Sequence, residues 1–410
     1  MARKSEGILR TSRSVLLNRN VRALAITGIV SGVYLGMFNG ILQLFPGALG
    51  FGVATLGIMM SIGNRFTGVA TSIIQPFAGH YSDVHGRKPV IIAGSIATIA
   101  SMGLFIGTAV TASWVLMFAA FLLYGASALG NPVTQAVVAE SVGLDERKMG
   151  VAYSAIFLLG TIPGVVAPYV AGVAVAEYGY PFIFMVAALL ESIDLYVYLK
   201  ELSETKHEER AAQGGRGFSF REALRLPKGS VGYSTALALD AFGFGITTSI
   251  IYALIADRFG YSPAEIGLLV GVWSLAIIAT QYPATQLLLI LGPRRTLALS
   301  ELLGTLLMVG WLVVNSLPLF LLLSVVFGTS VSTWVPGVSS MLMTHSPSGE
   351  RGSLGGKVAA IRGLVAFPGP VIGGFLYAGF GYQAPILASV IVTLAATLMI
   401  LKFVPETSRS

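Results

Sequence analysis

The sequence predicts an all-α integral membrane protein whose twelve transmembrane helices form two pseudo-symmetric six-helix bundles. Three observations predict it. Apolar residues make up 54% of the 410-residue chain, and mean hydropathy is +0.78, far from the composition of a soluble domain. The apolar residues fall into runs long enough to cross a bilayer, about 20 helical residues each. The second half of the chain repeats landmarks of the first. Transmembrane barrels give alternating segments of about ten residues, and no such pattern appears here.

Taken in order, the twelve spans cover 23–45, 54–79, 90–110, 114–138, 150–174, 181–199, 231–255, 264–291, 296–314, 318–343, 356–378 and 384–403. They divide the chain into a cytoplasmic tail (1–22), a first bundle (23–199), a linker (200–230), a second bundle (231–403) and a final tail (404–410). The 49 glycines suit helices that pack closely in lipid, where small residues let backbones approach. In the linker, Phe218, Phe220, Leu224 and Leu226 suggest a short amphipathic surface helix or a flexible tether.

Charge is scarce and sorted. Of the 26 Lys and Arg residues, 23 fall in the tails, the linker and the loops that share their side. Only Arg258 falls in a loop on the other side, and Arg65 and Arg362 lie within spans. This is the positive-inside pattern, with both termini cytoplasmic. The net charge of +7 is therefore a topology signal, and nucleic acid is not an expected partner. The chain has no cysteine, which excludes disulfides and cysteine metal sites. The basic tail before residue 23 leads into a run too long for a signal peptide. These features point to a multi-pass protein of the plasma membrane.

The repeat is parallel, because each half holds an even number of spans. Gly179 and Glu204-Thr205 return 202 residues later as Gly381 and Glu406-Thr407. Pro132 and Glu146-Arg147 return 204 residues later as Pro336 and Glu350-Arg351. Pro76 with Arg87-Lys88 returns 207 residues later as Pro283 with Arg294-Arg295.

The loop between spans 2 and 3 reads Gly79-His80-Tyr81-Ser82-Asp83-Val84-His85-Gly86-Arg87-Lys88-Pro89. Its Gly79, Asp83, Gly86, Arg87 and Lys88 resemble the G-x-x-x-D-x-x-G-R-[RK] loop of the major facilitator superfamily, and twelve spans with a basic central linker extend the resemblance over the whole chain. The resemblance implies a central cavity lined by spans 1, 4, 7 and 10, flanked by 2, 5, 8 and 11. It implies a latch too: Asp83 against the start of span 11 near Gly355–Lys357, and Arg87 against Glu140 at the end of span 4. Gly369-Pro370-Val371-Ile372-Gly373-Gly374 resembles the G-P-x-x-G-G antiporter motif of family drug exporters, displaced here from span 5 to span 11. Those exporters carry an Arg in span 4 where this chain has Phe121.

Charges deep in the bilayer cost roughly 2.5–3.5 kcal/mol on insertion scales, so they read as functional. Asp240 lies about 13 Å into span 7 and Arg65 about 16 Å into span 2, at 1.5 Å per residue. Asp240 is the main candidate proton-coupling residue, with Glu191 and Asp194 of span 6 as further proton sites. Arg65 is a candidate for an anionic substrate group or for the counter-ion of Asp240. Glu301 is expected to pair with Arg294 and Arg295, and Arg362 to reach the cytoplasmic surface. Polar and aromatic residues of the lining give the remaining substrate candidates: Asn39, Gln43, Asn64, Asn131, Gln135, Tyr252, Trp273, Gln281 and Trp334. Such a mixture suits a small amphipathic or weakly charged solute.

The expected function is secondary transport of a small solute by proton-coupled alternating access, of an efflux or organic-anion type. A non-transporting membrane receptor or scaffold that keeps the fold is the alternative. An enzyme is not expected: nucleophile arrangements and ligand spacings are missing, and His80, His85, His207 and His345 all fall in or near loops. No P-loop occurs, so no cofactor is expected and the proton gradient supplies the energy. A monomer in the lipid bilayer is the expected assembly.

Overall fold

The computed structural model describes residues 17–143, 146–205, 219–220, 224–344 and 351–404. Among them, every regular element is a helix: α1 (Arg19–Ala48), α2 (Val53–Gly63), α3 (Val69–His85), α4 (Arg87–Thr111), α5 (Trp114–Ala126), α6 (Gly130–Val142), α7 (Glu146–Thr161), α8 (Ala167–Lys200), α9 (Val231–Thr248), α10 (Ile251–Phe259), α11 (Pro263–Val313), α12 (Leu317–Thr344), α13 (Arg351–Ala366), α14 (Pro368–Phe380) and α15 (Gln383–Phe403).

Nine helical runs among the described residues are long and apolar enough to cross a membrane. Two of them fold back on themselves. A straight α11 would be about 77 Å long, yet Leu269 and Leu307 line one small cavity with Tyr252. The reversal falls at Gly292, whose φ of 76° is left-handed and costs glycine little. Likewise Ile156 and Tyr198 pack in one cluster with Leu24, so the α7–α8 run doubles back at Gly179. Counting each reversal as two spans, and α2 with α3 as one broken span, gives twelve. Below, span numbers follow that count.

Five spans are interrupted near their middles. Span 2 leaves helical geometry between Gly63 and Val69. Spans 4 and 5 tighten into 3₁₀ turns at Ser127–Leu129 and Ile162–Val165. Span 7 breaks between Thr248 and Ile251, and span 11 at Phe367. Span 1 is kinked at Asn39 and Gly40, whose dihedrals leave helical geometry. Irregular backbone at membrane depth must satisfy its own polar groups. At Asn64 the carboxamide oxygen accepts from the N–H of Phe66 at 2.9 Å and of Thr67 at 3.3 Å.

The two ends differ. The end that carries Arg87, Lys88 and Lys200 is called the basic end here. At the opposite, far end the halves touch backbone to backbone. A Cβ placed on Gly57 would lie 2.3 Å from the Pro370 carbonyl oxygen, one on Gly172 2.2 Å from that of Pro263, and one on Gly267 2.2 Å from that of Pro168. Spans 2 and 11, and 5 and 8, therefore meet only because glycine stands at each crossing. Within the first half, Phe38, Phe45, Phe105 and Phe184 interlock edge to face or stacked, with centroids 4.9–6.2 Å apart, and this rigid core backs the bent part of span 1.

Candidate functional site: one buried charge cluster in each half

In the first half, the break in span 2 presents Arg65 to spans 1 and 4. Its Nη1 donates to the Tyr34 hydroxyl at 3.2 Å, and its guanidinium lies over the Tyr124 ring at 5.2 Å. Span 6 supplies the acid. Glu191 is 4% exposed, and Ser95 of span 3 donates to it at 2.5 Å. Glu191 shares this buried cluster with Arg65 and Tyr34. One turn on, Asp194 is 1% exposed, and neither carboxyl oxygen has a hydrogen-bond partner among the described residues.

The second half repeats the scheme with other residues. Arg362 of span 11 lies over the Trp334 ring of span 10 at 4.4 Å and donates from Nε to the Leu237 carbonyl at 3.4 Å. Asp240 of span 7 and Glu301 of span 9 lie in the same buried cluster. Asp240 is 3% exposed and Glu301 is fully buried. Asp240 Oδ1 and both Glu301 oxygens lack a hydrogen-bond partner among the described residues. Two buried carboxyls thus lie near one guanidinium, with no ion pair closed within 4 Å among the described residues, in a site where an unneutralised charge is costly.

These positions correct three expectations. Arg65 is not the counter-ion of Asp240; each belongs to the cluster of its own half, and Arg362 takes that place for Asp240. Glu301 does not pair with Arg294 and Arg295 but points inward, because the helix face that carries it packs on spans 7 and 10. Arg362 does not reach for the surface; its guanidinium is held by Trp334 and Leu237.

The other candidates scatter. Asn39, Asn131 and Gln135 are exposed, and Gln281 is half-buried. Asn64 holds the break of span 2. Trp273 stacks on Phe327 at 5.3 Å, with its indole nitrogen buried and unpartnered among the described residues. Trp334 sits under Arg362. Gln43 and Tyr252 meet each other in the contact between the halves, so neither lines an open cavity in this state.

At the basic end, Arg87 Nη2 pairs with Glu140 at 2.9 Å, while Nη1 reaches Asp83 at 2.5 Å and the Ser82 hydroxyl at 2.7 Å. Gly86 joins α3 to α4 with a φ of 104°. Lys88 Nζ donates to the Leu199 carbonyl at 2.9 Å. Gly79 has open space around it. Asp83 is 60% exposed and is tied to its own loop. Among the described residues it makes no ion pair or hydrogen bond with span 11, so the expected bridge is not seen there, although spans 2 and 11 also pack on the basic side of their breaks, where Gly363 faces Ser72. Glu204 was not foreseen as part of this loop. Its carboxylate accepts from the N–H groups of Arg87 and Lys88 at 2.8 and 3.1 Å, capping α4 with a negative charge where the helix dipole favours one. Thr205 donates to Glu140 at 2.6 Å. The recurrence of Glu204-Thr205 as Glu406-Thr407 was the signal for it; Glu406 and Thr407 lie outside the described residues, as does the linker between 206 and 218.

The sequence profile of the Major Facilitator Superfamily matches this chain twice, over residues 24–237 and 233–410. The chain belongs to that superfamily. It is 25% identical over 382 residues to Multidrug resistance protein 2 of Bacillus subtilis, covering 92% of this chain and 91% of that one. It is 26% identical over 322 residues to the class C tetracycline resistance protein of Escherichia coli, covering 75% and 76%. A crystal structure of a variant of the nucleoside transporter NupG superposes with a TM-score of 0.75 at 13% identity, covering 94% of this chain and all of that one. That last likeness is one of fold. As a member of the superfamily, the chain is a multi-pass membrane transporter.

Proposed function

We propose that this transporter exports a small amphipathic solute in exchange for protons, by alternating access between the two halves. The carrying observation is the second-half cluster: two buried carboxyls face a single guanidinium. One proton on the pair balances the site, and its loss leaves a surplus charge that favours a wetter state. Asp240 is the residue that loads and unloads, because it lies on span 7, a cavity-lining span in the family arrangement, whereas Glu301 lies on span 9. Glu191 and Asp194 repeat the same ratio of two acids to one Arg beside Arg65 and form a second proton site. Relatives named for multidrug and tetracycline resistance favour export. The positive-inside rule favours a cytoplasmic basic end, and the plasma membrane is the proposed location. The solute meets the protein as a monomer in lipid, and no cofactor takes part.

The test is transport by the purified protein in liposomes, with tetracycline or ethidium as the probe. Accumulation should follow an imposed pH gradient and collapse when nigericin removes it. Accumulation that survives nigericin would refute proton coupling, and binding without any accumulation would favour a receptor.

One observation favours a second reading, an organic-anion carrier. Arg65 has five N–H donors and meets the Tyr34 hydroxyl and Tyr124, which leaves donors to offer a carboxylate or phosphate. A thermal-shift series against organic anions and lipophilic cations separates the two. Stabilisation by anions in the parent, lost in Arg65→Ala, would support the anion carrier. Stabilisation by cations that survives Arg65→Ala would support export of amphipathic drugs.

A further inference from the structure

We infer that Gln43 is a positioning residue of the far-end gate: its carboxamide fastens span 1 of one half across the break in span 7 of the other, and so holds the carrier closed at that end. Gln43 Nε2 donates to the Thr248 carbonyl at 3.2 Å, and Gln43 Oε1 accepts from the Tyr252 N–H at 2.9 Å. Thr248 and Tyr252 are four residues apart. They therefore carry the acceptor and donor of one helical turn. The backbone between them is irregular, with Ile250 at φ −130° and ψ −2°. A primary amide presents one acceptor and one donor side by side, so a single Gln side chain serves both groups.

The rest of the contact is built to deliver that side chain. Span 1 bends at Asn39 and Gly40, one turn before Gln43. Gly40 has a φ of 127°, and a Cβ there would lie 3.0 Å from Val270 Cγ2 and 3.1 Å from Ile266 Cγ2 of span 8. Glycine is needed for both the conformation and the space. The Tyr252 ring is buried against Ile255, Leu269, Leu307 and Trp311, so water does not supply the missing partners. When the halves separate, Thr248 and Tyr252 lose Gln43 but stand one turn apart, in register to complete the helix with each other. The closed gate uses the Gln43 amide; the open gate uses an intrahelical bond. Exchanging one for the other changes the hydrogen-bond count little, which is what a two-state hinge requires.

This inference rests on alternating access but not on proton coupling. The native chain has no cysteine, so a labelled pair can be introduced directly. Tyr178→Cys and Phe380→Cys place spin labels at exposed far-end positions of the two halves, 64% and 79% accessible. Electron–electron distances are then measured on the full chain in nanodiscs, without substrate or gradient. Gln43→Leu keeps the bulk and removes the amide; it should raise the ratio of long to short distances by about tenfold, the effect of losing two hydrogen bonds. Gln43→Glu at about pH 3.5, below the ordinary Glu value of about 4.3, where a protonated carboxyl can again donate and accept, should keep the parent distribution and so control for misfolding. A Gln43→Leu distribution superimposable on that of the parent would overturn the inference. Opening by Gln43→Glu at that pH equal to that of Gln43→Leu would overturn it as well. Loss of pH-driven transport alone moves neither distance ratio, so a failure of the coupling reading is told apart from a failure of this one.

Discussion

Asp240→Asn is expected to abolish accumulation driven by a pH gradient, a loss of a hundredfold or more, while the protein folds and still exchanges solute down its own gradient. The asymmetry of the second-half cluster gives the reason. Asn keeps the shape of the side chain and leaves Glu301 as one carboxyl for one guanidinium, a balanced pair in a dry site. What disappears is the group that changes charge during the cycle. Removing the base has the opposite signature. Arg362→Ala leaves Asp240 and Glu301 facing each other with no cation, together with an empty space over Trp334. Breaking a buried pair from one side costs about 3–5 kcal/mol, so this variant should express poorly and lose thermal stability. The measurement is counterflow beside gradient-driven uptake in one liposome preparation. Gradient-driven uptake by Asp240→Asn at the parental rate would end the assignment of Asp240. Equal loss of uptake and counterflow would make Asp240 a structural residue.

Much of the fold was legible in the sequence because bilayer physics is coarse. Spans follow from apolar length, and the paired halves from offsets such as that between Gly179 and Gly381. The breaks were not legible. Asn64 and Arg65 fall inside a run that reads as one continuous helix, and only the Asn64 carboxamide bonding to Phe66 and Thr67 shows that the helix stops there. The site was legible as a set of residues and not as a set of partners. Depth along a helix places Asp240 and Arg65 at the same level, yet says nothing of which neighbour each faces. Glu301 and Arg362 were read from distance along the chain to the nearest charges. In the folded protein their partners come from spans 7, 9 and 10, and long-range packing decided the pairing. Glu204 shows the reverse case, since its recurrence in the repeat was visible while its target, the backbone at Arg87 and Lys88, lies 116 residues or more away.

Gly57→Val is expected to trap the carrier away from the state described above and to lower transport more than tenfold. Gly57 faces the Pro370 carbonyl across the junction of spans 2 and 11, and any Cβ would stand 2.3 Å from that oxygen. Neither partner can yield locally. Both are backbone, and the facing position on span 11 is Gly374, whose own Cβ would press on Ala54 Cα at 2.9 Å. Interiors packed at this density respond to added volume by moving whole elements. The element free to move is one half against the other, because at the basic end Asp83 is tied to Arg87 within its own loop. Gly103 is the control: it is helical, and a side chain added there meets nothing within 4 Å, so Gly103→Val should transport normally. Thiol-reagent access at the far end, through a Cys introduced at Ile266, which is buried between the halves against Gly40, reads the state directly. Rapid labelling in Gly57→Val and slow labelling in Gly103→Val and the parent is the expected order. Slow labelling with full transport in Gly57→Val would mean that the far-end contact between spans 2 and 11 is not what closes this carrier.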